Sequence, residues 1–161
     1  MDGITIKRID LLHPKLRDEA HKMYNDMCVA LIGRAMPRFA YTLRTIKEQN
    51  ELYQKGRTTP GPKVTNAKGG QSYHNYGLAF DLVLIIDGKQ ASWDTLKDFD
   101  GDKVSDWAEC VTIAKSYGWE HGGDWVKFKD QPHFQKTFGK SIAQLLVAPK
   151  FIQDNIEYPT L

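Results

Sequence analysis

The chain has 161 residues, 41% of them hydrophobic and 26% charged, with a formal net charge of +2. That length carries one domain with a sizeable core, and the composition is that of an ordinary soluble globular protein. The charge balance argues neither for nor against nucleic acid, but there is no block of five Lys or Arg, no nucleic-acid recognition motif, and no apolar run approaching the ~18 residues of a membrane span. Cys28 and Cys110 are far apart and lack CxxC spacing, so they read as reduced core thiols rather than a disulfide or a metal pair. The N-terminal stretch Met1 to Asp10 has no apolar signal core, and the expectation is synthesis in a cytoplasm.

In chain order, residues 3 to 9 read as a short extended lead-in. Pro14 suits the first turn of a helix, and Leu16, Ala20, Met23, Met27, Ala30 and Leu31 recur at helical spacing, predicting an amphipathic helix from Lys15 to about Arg34. His13 is expected in the cap region and His21 on the surface. Residues 37 to 43 form a predicted strand that delivers Arg44. A helix follows over 45–55, with Thr45 and Glu48 as a capping box and Gly56 as its stop. Residues 57 to 71, rich in Gly, Pro, Thr, Lys and Asn, are an aperiodic loop placed beside the site.

Leu82 to Ile86 reads as a buried strand, Asp87-Gly88 as a hairpin turn and 89–93 as the return. After an acidic loop from Lys97, residues 107 to 117 predict a second core helix, capped by Gly118. Residues 126 to 128 are strand-like, and Ser141 is expected to cap a short helix through Leu146. The tail from 149 to 161 is weakly determined. No repeat, linker or second domain is visible, so the chain is expected to be a single domain over 1–161.

The chemistry concentrates in Ser72 to Asp81 and in Asp130-Gln131-Pro132-His133. Asp81 opens a buried strand, where a carboxylate is costly unless a cation or strong donors meet it. His74 lies seven residues upstream, with Gly77 between them to let the chain turn tightly. Pro132 restricts Gln131 to extended backbone and presents His133. Two histidines, one carboxylate and a position left for water are a common catalytic zinc set. Asp130 is close enough in sequence to His133 to act on that water without binding the metal.

The pattern Ser-x-His-x-x-Gly-x-Ala-x-Asp at 72–81 followed by Asp-x-Pro-His at 130–133 resembles the zinc peptidases of bacterial cell-wall metabolism. These include D-alanyl-D-alanine carboxypeptidases and dipeptidases, and, nearest in pattern, the L-alanyl-D-glutamate endopeptidases of phage endolysins and bacterial autolysins. The flanks agree: Leu-Arg-Thr-x-x-Glu-Gln-x-x-Leu-Tyr at 43–53, Gly56-Arg57, Gly118-Trp119 and Gly122-Gly123-Asp124-Trp125. The resemblance spans roughly residues 10 to 140. It implies Zn2+ on His74, Asp81 and His133, with Asp130 as general base.

Glu120 competes for the role of base, because it precedes His121 and the glycines of a site loop. His121 stands where the family usually has a small residue, and it is expected to be exposed. Arg44 is the candidate for stabilising the oxyanion or holding a substrate carboxylate; a salt bridge with Glu48 at the helix start is the plain alternative. Ser72, Gln49, Arg57 and Trp119 match family positions and are assigned to the substrate side, with Gln49 and Arg57 expected to support the site loop rather than chemistry. Of Tyr73, Tyr76, Trp119 and Trp125, at least two are expected in the core.

Asp98, Asp100, Asp102, Asp106 and Glu109 occupy positions 1, 3, 5, 9 and 12 of a calcium loop. Lys103 stands at position 6, where glycine belongs, and Ser105 at position 8, where an apolar residue is usual. An acidic loop before a helix explains much of this without metal. A bound Ca2+ would be regulatory or structural.

The expected fold is α+β: a small, mainly antiparallel sheet flanked by helices, with zinc at one edge. The resemblance implies hydrolysis of a peptidoglycan stem peptide, between L-alanine and D-glutamate. The alternatives are a D,D-carboxypeptidase or dipeptidase acting on D-alanyl-D-alanine, and a cell-wall-binding module with structural zinc. The implied setting is a monomer without nucleic-acid partner or membrane span, made in a host cytoplasm, released by a holin and acting on the cell wall.

Overall fold

A computed structural model describes residues 1–161. The chain runs α1 (Gly3–Ile9), α2 (Pro14–Ala30), β1 (Ala35–Tyr41), α3 (Ile46–Gln54), β2 (Ala79–Ile86), β3 (Gln90–Ser92), α4 (Asp106–Ser116), β4 (Glu120–His121), β5 (His133–Gln135), α5 (Ile142–Val147), β6 (Lys150–Gln153) and β7 (Ile156–Pro159). A five-stranded antiparallel sheet has the order β1-β2-β5-β4, with β3 also paired to β2; β6 and β7 form a separate hairpin. This is the expected α+β architecture. No helix is long and apolar enough to cross a membrane.

Alternation along the strands builds the core. In β2, Phe80, Leu82, Leu84 and Ile86 enter the main hydrophobic cluster, while Asp81 points to the opposite face. Phe134 of β5 lies opposite Phe80, and His121 of β4 opposite Phe134. Their rings make a column across the sheet: Phe39 on Phe80 at 4.0 Å, Phe80 on Phe134 at 4.8 Å and His121 on Phe134 at 4.7 Å. α2 and α4 cover this face with Leu16, Ala20, Met23, Met27, Trp107, Cys110 and Ala114. Both cysteines are free, Cys110 fully buried and Cys28 partly so.

The local signals mostly act as the sequence suggests. Thr45 and Glu48 form a reciprocal capping box at α3, and His13 caps α2 while His21 stays near the surface beside Asp10. Asp87 and Gly88 both take positive φ in the β2–β3 turn, as a tight hairpin turn requires.

Three predicted elements differ. Residues 3–9 are helical rather than extended, because Asp2 caps the segment by accepting from Thr5 N and Oγ1, which outweighs the weak helix preference of Ile and Thr. α2 ends at Ala30 rather than near Arg34. Residues 126–128 form no strand; Phe128 takes a φ of +55° and is exposed, and the strands lie instead at β4 and β5.

Candidate metal centre

The β2–β5 register puts Asp81 directly opposite His133. His74 reaches the same point from a 3₁₀ turn, Tyr73–Tyr76, capped by the Ser72 hydroxyl. Gly77 ends that turn at a φ of +68°, and an added Cβ would sit 2.6 Å from His13 N; only glycine meets both demands without strain. His74 Nε2 is 3.2 Å and His133 Nδ1 3.5 Å from the same Asp81 oxygen, and one ligand atom from each of the three residues lies within 4.8 Å of the others.

The outward ring atoms determine which nitrogens face inward. His74 Nδ1 is 2.6 Å from the Thr42 carbonyl. A carbonyl only accepts, so Nδ1 carries the hydrogen and Nε2 presents a lone pair. Gln135 Nε2 donates to the Glu120 carboxylate at 3.0 Å, which turns Gln135 Oε1 toward His133 Nε2 at 2.9 Å. His133 therefore donates outward and presents the lone pair of Nδ1. Two imidazole lone pairs and a carboxylate converge, an arrangement that repels itself unless positive charge lies between them.

The electrostatics agree. Burial opposes charge on Asp81, yet positive charge on the facing imidazoles outweighs it and holds its carboxyl well below the usual range, so this point draws positive charge whether a proton or a metal ion carries it. Burial likewise opposes charge on His133, while Asp81 holds its pKa above the ordinary histidine value. The donor set fits a dication of borderline softness.

The cluster opens onto a cleft of about 670 Å³ lined by Tyr41, Arg44, Ser72, Tyr73, Trp93, Trp125 and Asp130, among others. Asp130 N donates to the Gly122 carbonyl at 3.1 Å, and a side chain at Gly122 would meet Asp130 and His133. Burial of its carboxyl and the Asp81 charge push the Asp130 pKa up, against the pull of His133 and His74; the residue as a whole is exposed, so water moderates the shift.

Arg44 lies over the Tyr41 ring with its guanidinium 4.7 Å from the centroid. It donates to Gln49 Oε1 at 3.0 Å and stands 3.9 Å from Asp81 Oδ2, while its buried Nε has no partner. The salt bridge with Glu48 does not form, because Glu48 is engaged in the cap.

Three residues assigned to the substrate side lie elsewhere. Gln49 is fully buried and donates to the Ala67 carbonyl at 2.8 Å, so it holds both Arg44 and the 65–67 loop. Arg57 stacks on Tyr53 and donates to the Tyr53 and Thr65 carbonyls. Trp119 packs against Phe80 in the core, with its indole N–H on Glu19. Ser72 does line the cleft.

His121 is buried rather than exposed, because strand alternation turns it onto the core side of β4. The same alternation places Glu120 behind His133 through Gln135, outside the residues that line the cleft. The sequence reading missed Tyr41, Trp93 and Gln135. Gln135 was findable, since a strand residue two beyond His133 shares its face. Tyr41 was not, because a register shift between Phe39 and Tyr41 brings it opposite Asp81.

Residues 65–136, which include all three members of the histidine-aspartate-histidine cluster and Asp130, match the family described as D-alanyl-D-alanine carboxypeptidase. Among individual relatives, the chain is 52% identical over 92 residues to the peptidoglycan L-alanyl-D-glutamate endopeptidase CwlK of Bacillus subtilis, covering 57% of this chain and 55% of that protein. It is 40% identical over 78 residues to the L-alanyl-D-glutamate peptidase of Listeria phage A118, covering 44% of this chain and 25% of the phage protein. The chain thus spans about half, or less, of the length of these curated relatives.

Two solved structures share the fold. The L-Ala D-Glu endopeptidase ChiX of Serratia marcescens superposes with a TM-score of 0.57 at 23% identity, over 86% of this chain and 90% of that one. The D,D-dipeptidase VanXYg gives 0.51 at 18% identity, over 91% of this chain and 66% of that one.

Proposed function

We propose that the chain is a zinc-dependent peptidase that cleaves the L-alanyl-D-glutamate bond of the peptidoglycan stem. One observation carries the proposal: His74 and His133 each have the outward ring nitrogen committed to an acceptor, so both inward lone pairs meet Asp81 at the foot of an open cleft. The relatives' names support the choice of bond.

In this reading His74, Asp81 and His133 hold zinc, which when bound polarises the scissile carbonyl and acidifies the attacking water. Asp130 on the cleft wall accepts the proton from that water and returns it to the leaving amine. Arg44, braced by Gln49 and Tyr41, faces the charge that develops on the carbonyl oxygen. The Glu120–Gln135 pair orients His133. The tyrosine and tryptophan walls and the Ser72 hydroxyl give the peptide apolar surface and a hydrogen-bonding partner. The proposal includes a monomer that acts on the wall after release from the cytoplasm, by a holin in a phage setting.

Mass spectrometry of purified peptidoglycan after digestion, with and without a zinc chelator, tests the reading. New D-glutamate amino termini that vanish with chelator are expected. Release of terminal D-alanine would move the chain to the carboxypeptidase reading, and no product despite bound zinc would leave a wall-binding module.

A further inference from the structure

The acidic loop between β3 and α4 takes no part in the cleft. Ligand oxygens of Asp98, Asp100 and Asp106 lie within 4.8 Å of one another, and so do those of Asp100, Asp102 and Glu109; Asp100 joins the two groups. None of the five carboxylates belongs to an ion pair.

A solvated acidic loop would spread these charges into water, whereas here only Asp102 of the five is exposed. Asp106 is completely buried. One of its oxygens accepts from Phe99 N at 2.7 Å, and the other, Oδ1, has no partner. Asp100 Oδ2 and Glu109 Oε2 are also buried without partners. A position at the start of α4 favours an anion there, but it does not supply a partner for oxygens that face other carboxylates. Buried acceptors left unsatisfied in a native fold call for an unseen donor or ion, and two carboxylate triplets that share Asp100 call for a cation.

We propose that Asp98, Asp100, Asp102, Asp106 and Glu109 form a calcium site that fastens the β3–α4 connection to the start of α4. The all-oxygen donor set suits a hard cation rather than zinc, and the number of carboxylates suits calcium better than magnesium. The sequence objection, lysine where glycine belongs, is met by the backbone: Lys103 itself takes a φ of +76°. The loop is pressed close on Gly33, where an added Cβ would collide with Asp100. The segment it fastens begins beside Trp93, a cleft residue. The site is structural and separate from the chemistry at His74, Asp81 and His133.

The test uses the full chain, stripped of metal, reloaded with one equivalent of zinc and titrated with calcium chloride. Saturating calcium should raise Tm by about 5–10 °C, the shift expected for a ligand at ~100 times its Kd acting on a domain of this size. Glu109→Gln should lose most of that rise with its zinc content unchanged. Asp102→Asn, at an exposed position that tolerates substitution, should weaken calcium binding about tenfold or more. An unmoved wild-type Tm, an equal rise from magnesium, or a full rise in both variants would overturn the proposal.

Discussion

Asp81 shows how much one residue's neighbours decide. On the outward face of β2 it meets His74 from a 3₁₀ turn and His133 from β5, and each histidine is held by a further acceptor. The two competing bases are separated by the same geometry. Asp130 lines the cleft, whereas Glu120 sits behind Gln135. Asp130→Asn should therefore keep zinc and lose turnover by about 10²- to 10⁴-fold. Glu120→Gln should retain turnover at saturating zinc and weaken zinc affinity by about 10-fold or more, the usual effect of loosening a partner behind a ligand. Zinc content and single-substrate kinetics on both variants check this pair. If Glu120→Gln alone abolished turnover with zinc in place, the base would be misassigned.

At the scale of elements, α1 is the segment the sequence pattern hides best. Its apolar residues are β-branched and few, yet one cap and one ion pair make it a helix packed beside β1. Asp2 accepts from Thr5 and from both Arg38 Nε at 2.8 Å and Arg38 Nη2 at 3.0 Å, with only 8% of its side chain exposed. Burial alone would raise the Asp2 carboxyl, but Arg38 and Thr5 hold it below its ordinary value.

A lowered native pKa means that the charged form stabilises the fold above the unfolded value of about 3.9, and that this contribution is lost as pH falls through the native value. Asp2→Asn keeps a good cap and removes the charge. It should cost about 1–3 kcal/mol at pH 7, and the gap from wild type should shrink below about pH 4. Urea unfolding of both proteins at pH 7 and pH 3.5 measures it; a gap independent of pH would show that the ion pair contributes nothing.

For the whole molecule, the sheet divides the labour. One face stacks Phe39, Phe80, Phe134 and His121 into the core under α2 and α4. The other carries Asp81, His133, Gln135 and Glu120. A rigid apolar face behind the cluster keeps its donors in register, and a cation that binds those donors only when folded must in turn stabilise the fold. In protein loaded with one equivalent of zinc, phenanthroline, which binds calcium only weakly, should lower Tm by about 3–10 °C, and stoichiometric zinc should restore it. Calorimetry with and without the chelator decides it. An unchanged Tm together with confirmed zinc loss would mean that zinc binds the folded chain no more tightly than the unfolded one.

The sequence by itself determined the parts that depend on local chemistry: the caps at Thr45 and Ser141, the turn at Asp87-Gly88, the buried run of β2, and the pair of motifs that hold His74, Asp81, Asp130 and His133. These signals act over a few residues, and spacing records them. What only the tertiary structure decided was which face each side chain takes and what waits there. His121 goes to the core and Glu120 to the back of His133 because two short strands pair in one register, and Tyr41 reaches the cleft because β1 slips by a residue beside Asp81. A one-residue shift in a strand reverses its faces, and no local pattern records which long-range pairing will be made.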